Sequence, residues 1–367
     1  GGAGQRVMDA TQETFYAGQL LSRRAVIGTD ATLTGARQDA VRAFHARWYR
    51  PENTVIVIAG DTTTAALEAL VRKWFAAWRV PGKPAPAPSF GDPVAPAGAS
   101  AENPVGETRV LIEPELPRMV NYAILRPWRK VDDTIVYNQG LMIDSLAQSL
   151  INRRLEAKAR AGGSYLLAQV SQQDASRSVD ATYVSVTPLA DDWKSALRDV
   201  RAVIADALAS PPTQEEIDRE AAEMEIAFQV PGEQQRLLAG SKVADELVSA
   251  LDVRETVAAP NDVLAIFRSS KPLFTPGAVL AHTRTLFKGT VTRAVMVTPK
   301  PVAGDAGSLK QALLAPVAAE GSVRLAGKPI RFDDMPSIGE PGRINAVTPT
   351  GLLGIEQVEF ANGVKAL

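Results

Sequence analysis

The run Thr54 to Ala59, Thr-Val-Ile-Val-Ile-Ala, is apolar at nearly every position. An alternating strand would leave one face in water, whereas an unbroken apolar run needs cover on both faces, as in the centre of a layered sheet. Gly60-Asp61 then turns the chain, and Leu67, Leu70, Val71, Trp74, Phe75 and Trp78 recur at helical spacing. The spacing predicts an amphipathic helix packed on that sheet. Ahead of the strand the pattern predicts a helix over about Asp9 to Leu21 and another over about Thr34 to Trp48, stopped by Pro51.

The first 80 residues do not carry the rest of the fold. Pro81, Pro84, Pro86, Pro88, Pro93, Pro96 and Pro104 punctuate the next stretch, with Ala and Gly between them. Such a composition builds no core and favours extended chain, so residues 81–105 are expected to link two domains. A length of 367 residues also exceeds what a single core usually serves. Beyond the linker, two strands are predicted around a turn at Glu113 to Pro117, then a long helix over about Thr134 to Ala161. Strands near Tyr165 to Gln172 and Val179 to Thr187 follow.

Helices come next, at Trp193 to Leu208, from Thr213 to a break at Pro231-Gly232, and over Glu233 to Ala250, Pro260 to Arg268 and Pro276 to Phe287. Thr213 and Glu216 have the spacing of a capping box. An apolar strand at Thr292 to Pro299 and a helix near Ser308 to Ala319 repeat the strand-turn-helix order of residues 54–78. Asn362-Gly363, between two short alternating runs, predicts a type I′ hairpin.

Composition excludes several classes of function. The net charge is −1, which offers no electrostatic reason to bind nucleic acid. No apolar run approaches the roughly 18 residues that span a bilayer. There is no cysteine, so disulfides, thiolate zinc sites and cysteine nucleophiles are absent.

The segment AVIGTDATLTGARQDAVRAFHARWYRPENTVIVIAGD resembles part of the pitrilysin/insulinase family of zinc metallopeptidases. Ile27-Gly28, Phe44, Trp48-Tyr49, Pro51, Asn53 and Gly60-Asp61 stand where that family's pattern puts them. INRRLEAKARAGGSYLLAQV is similar to the family's following domain, through Arg154, Leu155, Arg160 and Tyr165, and VEFANGVKAL to the strand pair that opens an odd-numbered domain. The resemblance implies an α+β fold of tandem pitrilysin-like domains, helices packed on mainly antiparallel sheets, with the first domain incomplete. Residues 1–80 would be the end of that domain, 106–320 a second domain of non-catalytic type, and 321–367 a linker and the first strand of a third.

The family hydrolyses peptides with an H-x-x-E-H helix, two histidines on one face holding zinc and the glutamate acting as base. Here His45 and His282 stand far apart without a companion, and each is expected to serve packing or surface. Glu13, on the first helix, is expected to be solvated rather than a ligand. No catalytic or metal residue is therefore expected in this chain, and zinc is implied only for an intact parent. By resemblance Arg160 and Tyr165 could hold a substrate carbonyl or an oxyanion, a structural role being the alternative.

The function implied is that of a portion of a zinc metalloendopeptidase, inactive alone, forming chamber wall and peptide-binding surface. The alternative is a non-enzymatic family member serving as scaffold or as peptide-binding subunit of a heterodimer. An unrelated two-domain binding protein is a third reading. Partners would be a peptide or unfolded protein and the remaining parent domains or a catalytic subunit; a periplasmic setting is implied by resemblance alone.

Overall fold

A computed structural model describes residues 2–24, 28–99, 104–234, 239–253, 255–301, 306–319, 339, 342–351 and 355–367. Ile27 of the family-like segment lies outside them. The chain divides into two compact units, Gly1–Leu325 and Ala326–Leu367.

The first unit is built on a five-stranded sheet of order β1-β5-β2-β4-β3. Its strands are β1 (Val105–Ile112), β2 (Met119–Pro127), β3 (Tyr165–Ala175), β4 (Val179–Pro188) and β5 (Val291–Thr298). Three pairings are antiparallel, and β1 lies parallel to β5. All eight residues of β5 are buried, as its apolar sequence requires.

One face of the sheet carries Val120, Tyr122, Ile124, Val170, Val184, Val186, Ala294 and Met296. Against it pack α5 (Ile135–Arg160), α6 (Trp193–Ala209), α7 (Gln214–Gln234), α9 (Pro260–Ser270), α10 (Pro276–Leu286) and α11 (Ala306–Leu314), with α8 (Gly240–Val253) following α7 in the chain. Side chains at their N-termini fix the starts of several helices. Thr134 caps α5, Asp192 caps α6 and Thr275 caps α10. The capping box at α7 is formed in both directions, Thr213 N donating to Glu216 at 2.8 Å and Glu216 N to Thr213 Oγ1 at 3.2 Å. Pro231 does not end that helix, which continues to Gln234. A proline removes one hydrogen bond without forbidding another turn.

The opposite face, with Ala123, Leu125, Val179, Ala181, Val291, Val295 and Val297, is covered by α1 (Ala3–Phe15) through Phe15 and Val7. Arg293 on β5 is 1% exposed and donates to Phe15 O at 2.9 Å and Val94 O at 3.3 Å, while pairing with Glu107. It binds the end of α1, the proline-rich stretch and β1 to one strand. Arg6 pairs with Glu113, Glu13 with Arg109 at 2.6 Å, and the hydroxyls of Tyr16 and Tyr183 meet at 2.8 Å. The helices of this sheet are therefore not confined to one face, since the first helix of the chain covers part of the second.

Residues 28–80 contrast with this packing. They form α2 (Asp30–Thr34), α3 (Gln38–Trp48) and α4 (Thr64–Phe75), none of which holds a buried residue. Thr54 to Ala59, expected as a central strand, pairs with no strand among the described residues, and Val55 is 68% exposed. An apolar run becomes a strand only where neighbours accept its main-chain groups. Arg50 is the buried exception, donating to Val80 O, Pro81 O and Gly82 O.

The second unit is a three-stranded sheet of β6 (Ile344–Pro349), β7 (Glu356–Phe360) and β8 (Lys365–Ala366), in that order. The expected hairpin is present, though not with a type I′ turn, because Gly363 alone of the central pair has positive φ, at 84°. Phe360 N donates to Val364 O and Gly363 N to Phe360 O, a three-residue loop closed by a left-handed glycine.

Ser176 and Arg177, joining β3 to β4, both hold positive φ, 53° and 50°. The Asn-Gly pair that favours this turn is missing there, and each left-handed L-residue costs about 1–2 kcal/mol. The double change Ser176→Asn with Arg177→Gly should stabilise the unit by about 1 kcal/mol, less the small loss of the Arg177–Asp252 surface pair. A thermal melt should move up by roughly 2 °C.

Arg6 holds the Glu113 carboxylate below its usual range through hydrogen bonding and charge. A carboxylate depressed in the fold contributes stability above its unfolded pKa and loses it as pH falls through the folded value. Docking of α1 should therefore weaken below about pH 4.3, seen as faster amide exchange in residues 3–15, and Arg6→Ala should flatten that acid dependence.

Candidate functional site

The long helix α5 organises the candidate site. Its buried face holds Met142, Leu146, Leu150 and Leu155, the positions expected from periodicity, and also Arg154. The Arg154 guanidinium is 2% exposed and meets Asp206 at 3.3 Å and Glu216 at 3.2 Å. Glu216 is the capping-box residue of α7, so one carboxylate both starts α7 and receives the arginine of α5. Next to it Arg153 pairs with Glu220 and Glu223. Buried charges of this kind persist only when fully paired.

Arg160 and Tyr165 are not brought together. Arg160, with 78% of its side chain exposed, pairs with Glu156 one turn back on α5. Tyr165 is 1% exposed, and its hydroxyl donates to Leu155 O at 2.7 Å within the core. Burial pushes its phenol pKa upward, so it stays protonated. The Tyr165 hydroxyl oxygen lies inside the core, while Arg160 stands on the surface paired with Glu156, so the two side chains do not face a common site.

The outer edge of β3 runs beside α5. Asn152 Nδ2 donates to Val170 O at 2.9 Å, and Val170 N donates back to Asn152 Oδ1 at 2.7 Å. Two residues along, Gln172 N donates to Gln148 Oε1 at 2.9 Å. Beside this edge lies a cleft of about 680 Å³ of mixed character, lined by charged and polar groups such as Arg126, Asp144 and Asp180 and by apolar ones such as Trp128, Tyr137 and Leu141.

Arg126 spans the cleft, donating to Asp180 at 2.7 Å and to Leu286 O at 3.0 Å. Asp144 meets His282 Nδ1 at 2.8 Å. Burial raises the Asp144 pKa, opposed by the hydrogen bond and charge of His282. Burial likewise raises that of Asp174, opposed by a hydrogen bond from Arg177 N. The cleft offers hydrogen-bonding groups and negative charge.

A family model described as the peptidase M16 inactive domain matches residues 36–224, just over half of the chain. The chain belongs to the peptidase M16 family. No curated protein matches it. In fold it is similar to the periplasmic protease PqqL from Escherichia coli, at 15% identity and TM-score 0.73, over 99% of this chain and 40% of that one. A structure of the first half of PqqL matches 87% of this chain and 68% of its own length at 16% identity and TM-score 0.72. A peptidase M16 inactive domain from Pseudomonas fluorescens matches at 18% identity and TM-score 0.58, over 83% of this chain and 67% of that one. This M16 chain thus spans about two fifths of the length of full-length PqqL.

The residues of this M16 chain do not suit the zinc of the family motif. His45 stacks on Tyr49 with ring centroids 4.6 Å apart, His282 is taken by Asp144, and Glu13 by Arg109. Among the described residues no group of three His, Cys, Asp or Glu is placed to hold a metal ion.

Sequence reasoning missed Asp144, Gln148 and Asn152. They recur at i, i+4 and i+8, a polar line beside the buried stripe of α5, so their common face was readable. What they meet was not, because that depends on where β3 returns.

Replacing Arg154 by leucine would strand Asp206 and Glu216 without their cation. Loss of one partner of a buried ion group costs about 3–5 kcal/mol, so Arg154→Leu should lower the urea midpoint sharply. Arg160→Leu, at the exposed pair, should leave it nearly unchanged.

Proposed function

We propose that this chain is the non-catalytic portion of a larger M16 zinc metalloendopeptidase, forming wall and polypeptide-facing surface around a substrate it does not itself cleave. The observation that carries this reading is the exposed apolar sequence of residues 28–80. Val41, Phe44, Val55 and Trp74 are 61%, 59%, 68% and 68% exposed, although their periodicity is that of a core. Apolar surface on that scale, on two helices and an extended run, is ordinarily covered. In this reading the cover is the remainder of the first domain of the parent. The coverage of only 40% of PqqL is consistent with further polypeptide of that kind.

The zinc would be held by parent residues outside these 367, where it would activate the attacking water. The substrate would be an unfolded or partly unfolded polypeptide. The ferredoxin protease FusC, similar in fold at 16% identity and TM-score 0.68, was captured as a point mutant in complex with Arabidopsis ferredoxin, and supports a protein substrate for this relative as well. A periplasmic setting is proposed from PqqL, and no helix among the described residues is long and apolar enough to cross a membrane.

The test is incubation of the repurified chain with a denatured protein and added zinc. No cleavage is expected, and joining the chain to the preceding segment of its reading frame should slow amide exchange across residues 54–78. Turnover by the chain alone that survives repurification and is stopped by a chelator would overturn the proposal.

A further inference from the structure

A pocket of about 380 Å³ lies on the helix-covered face of the main sheet, where α6 and α11 meet β2 and β5. Apart from Arg201, Tyr122 and Thr292 the residues that line it are apolar, among them Leu208, Phe287 and Leu313. Strand register groups two of the polar three. Tyr122 lies opposite Ala294 and Ile124 opposite Thr292, so Thr292 stands diagonal to Tyr122 on the same face. Arg201 comes from α6, which packs on that face.

Arg201 is half-buried, and among the described residues it pairs with no carboxylate; its Nη1 donates to Ala312 O at 2.7 Å. Other arginines withdrawn from water in this unit, Arg126, Arg154 and Arg293, each meet an acid. Burial lowers the Arg201 pKa, opposed by Tyr122 and by no carboxylate, and an arginine stays charged all the same. Tyr122 is 5% exposed, and its hydroxyl makes no hydrogen bond to a described residue. A desolvated cation and a phenol without an acceptor, set among apolar walls, are complementary to an anion with an apolar body.

The form of that anion follows from the donors. With Nη1 on Ala312 O, the remaining guanidinium N–H groups present a fork that fits a carboxylate. No lysine or second arginine lines the pocket, so one negative charge is matched and the two of a phosphate monoester are not. We infer that this pocket binds a free monocarboxylate with a short apolar body, its carboxylate on Arg201 and Tyr122 and its chain against Leu208, Phe287 and Leu313. A polypeptide C-terminus shares the carboxylate but adds main-chain amide groups that these walls leave unpaired. Such a site is independent of whether the parent hydrolyses peptide.

Hexanoate is the probe, titrated into the full chain while the leucine methyl resonances are followed by NMR. Saturable shifts are expected at Leu208 and Leu313, with Arg201→Gln weakening binding roughly tenfold or more and Tyr122→Phe about fivefold. Hexanol, with the same chain and no charge, should bind roughly tenfold more weakly.

Absence of saturable shifts up to roughly 20 mM hexanoate, equal binding of hexanol, or undiminished binding by a folded Arg201→Gln variant would overturn the inference. A short peptide ending in leucine that shifts the same methyls at lower concentration than hexanoate would overturn it as well, assigning the pocket to polypeptide ends. Should Arg201→Gln fail to fold by thermal melt, the comparison of hexanoate with hexanol on the wild type decides alone.

Discussion

A strand buried along its whole length, with an arginine in its middle, sets the terms for the first unit. β5 lies between β1 and β2, and its residues alternate between two apolar faces, so neither face can be left to water. Helices from α5 onward cover one face. The other is covered by α1, whose Phe15 lies 278 residues away in sequence, because Arg293 points there. A guanidinium out of water has to find acceptors, and it finds the carbonyl of Phe15, the carboxylate of Glu107 and the carbonyl of Val94. Helix, edge strand and the proline-rich stretch at Val94 are thereby held to the same side chain.

Much of this was legible in the residues. The strands at Tyr165 and Val179, the 26-residue helix after Thr134, and the Thr213–Glu216 box stand where periodicity and capping chemistry put them. Local chemistry decides those features. The second face of the sheet was not legible, because nothing near Phe15 or Val94 says that Arg293 will meet them. The type I′ turn expected at Asn362-Gly363 failed for a related reason: the strand register chose a three-residue loop, and the dipeptide supplied only the left-handed glycine. Ser176-Arg177 took left-handed conformations with no sequence signal at all.

The candidate site divides in the same way. Arg154 and Tyr165 were noticed for their places in a family pattern, and both prove to be core residues, one closing an ion group with Asp206 and Glu216 and the other tethered to Leu155 O. A family pattern marks positions that matter without saying whether they matter for packing or for substrate. Gln148 and Asn152 went unremarked, since amides on a helix are usually solvated, and their role depends on a strand that returns alongside.

Two extended segments of the chain show what completes a surface. Val170 and Gln172 lie at a sheet edge, yet Val170 N and O and Gln172 N are satisfied by the side-chain amides of Asn152 and Gln148. Thr54 to Ala59 has the opposite character. Its side chains are apolar, its main chain pairs with no strand among the described residues, and the helices on either side of it in sequence expose Phe44 and Trp74. Burial of a Val, Ile or Phe side chain is worth about 1.5–3 kcal/mol, so the exposed set forgoes a sum comparable with the whole stability of a domain. The two segments differ in the chemistry each leaves exposed. By that measure the β3 edge is satisfied at Val170 and Gln172 N, whereas residues 28–80 leave a core-like apolar pattern in water.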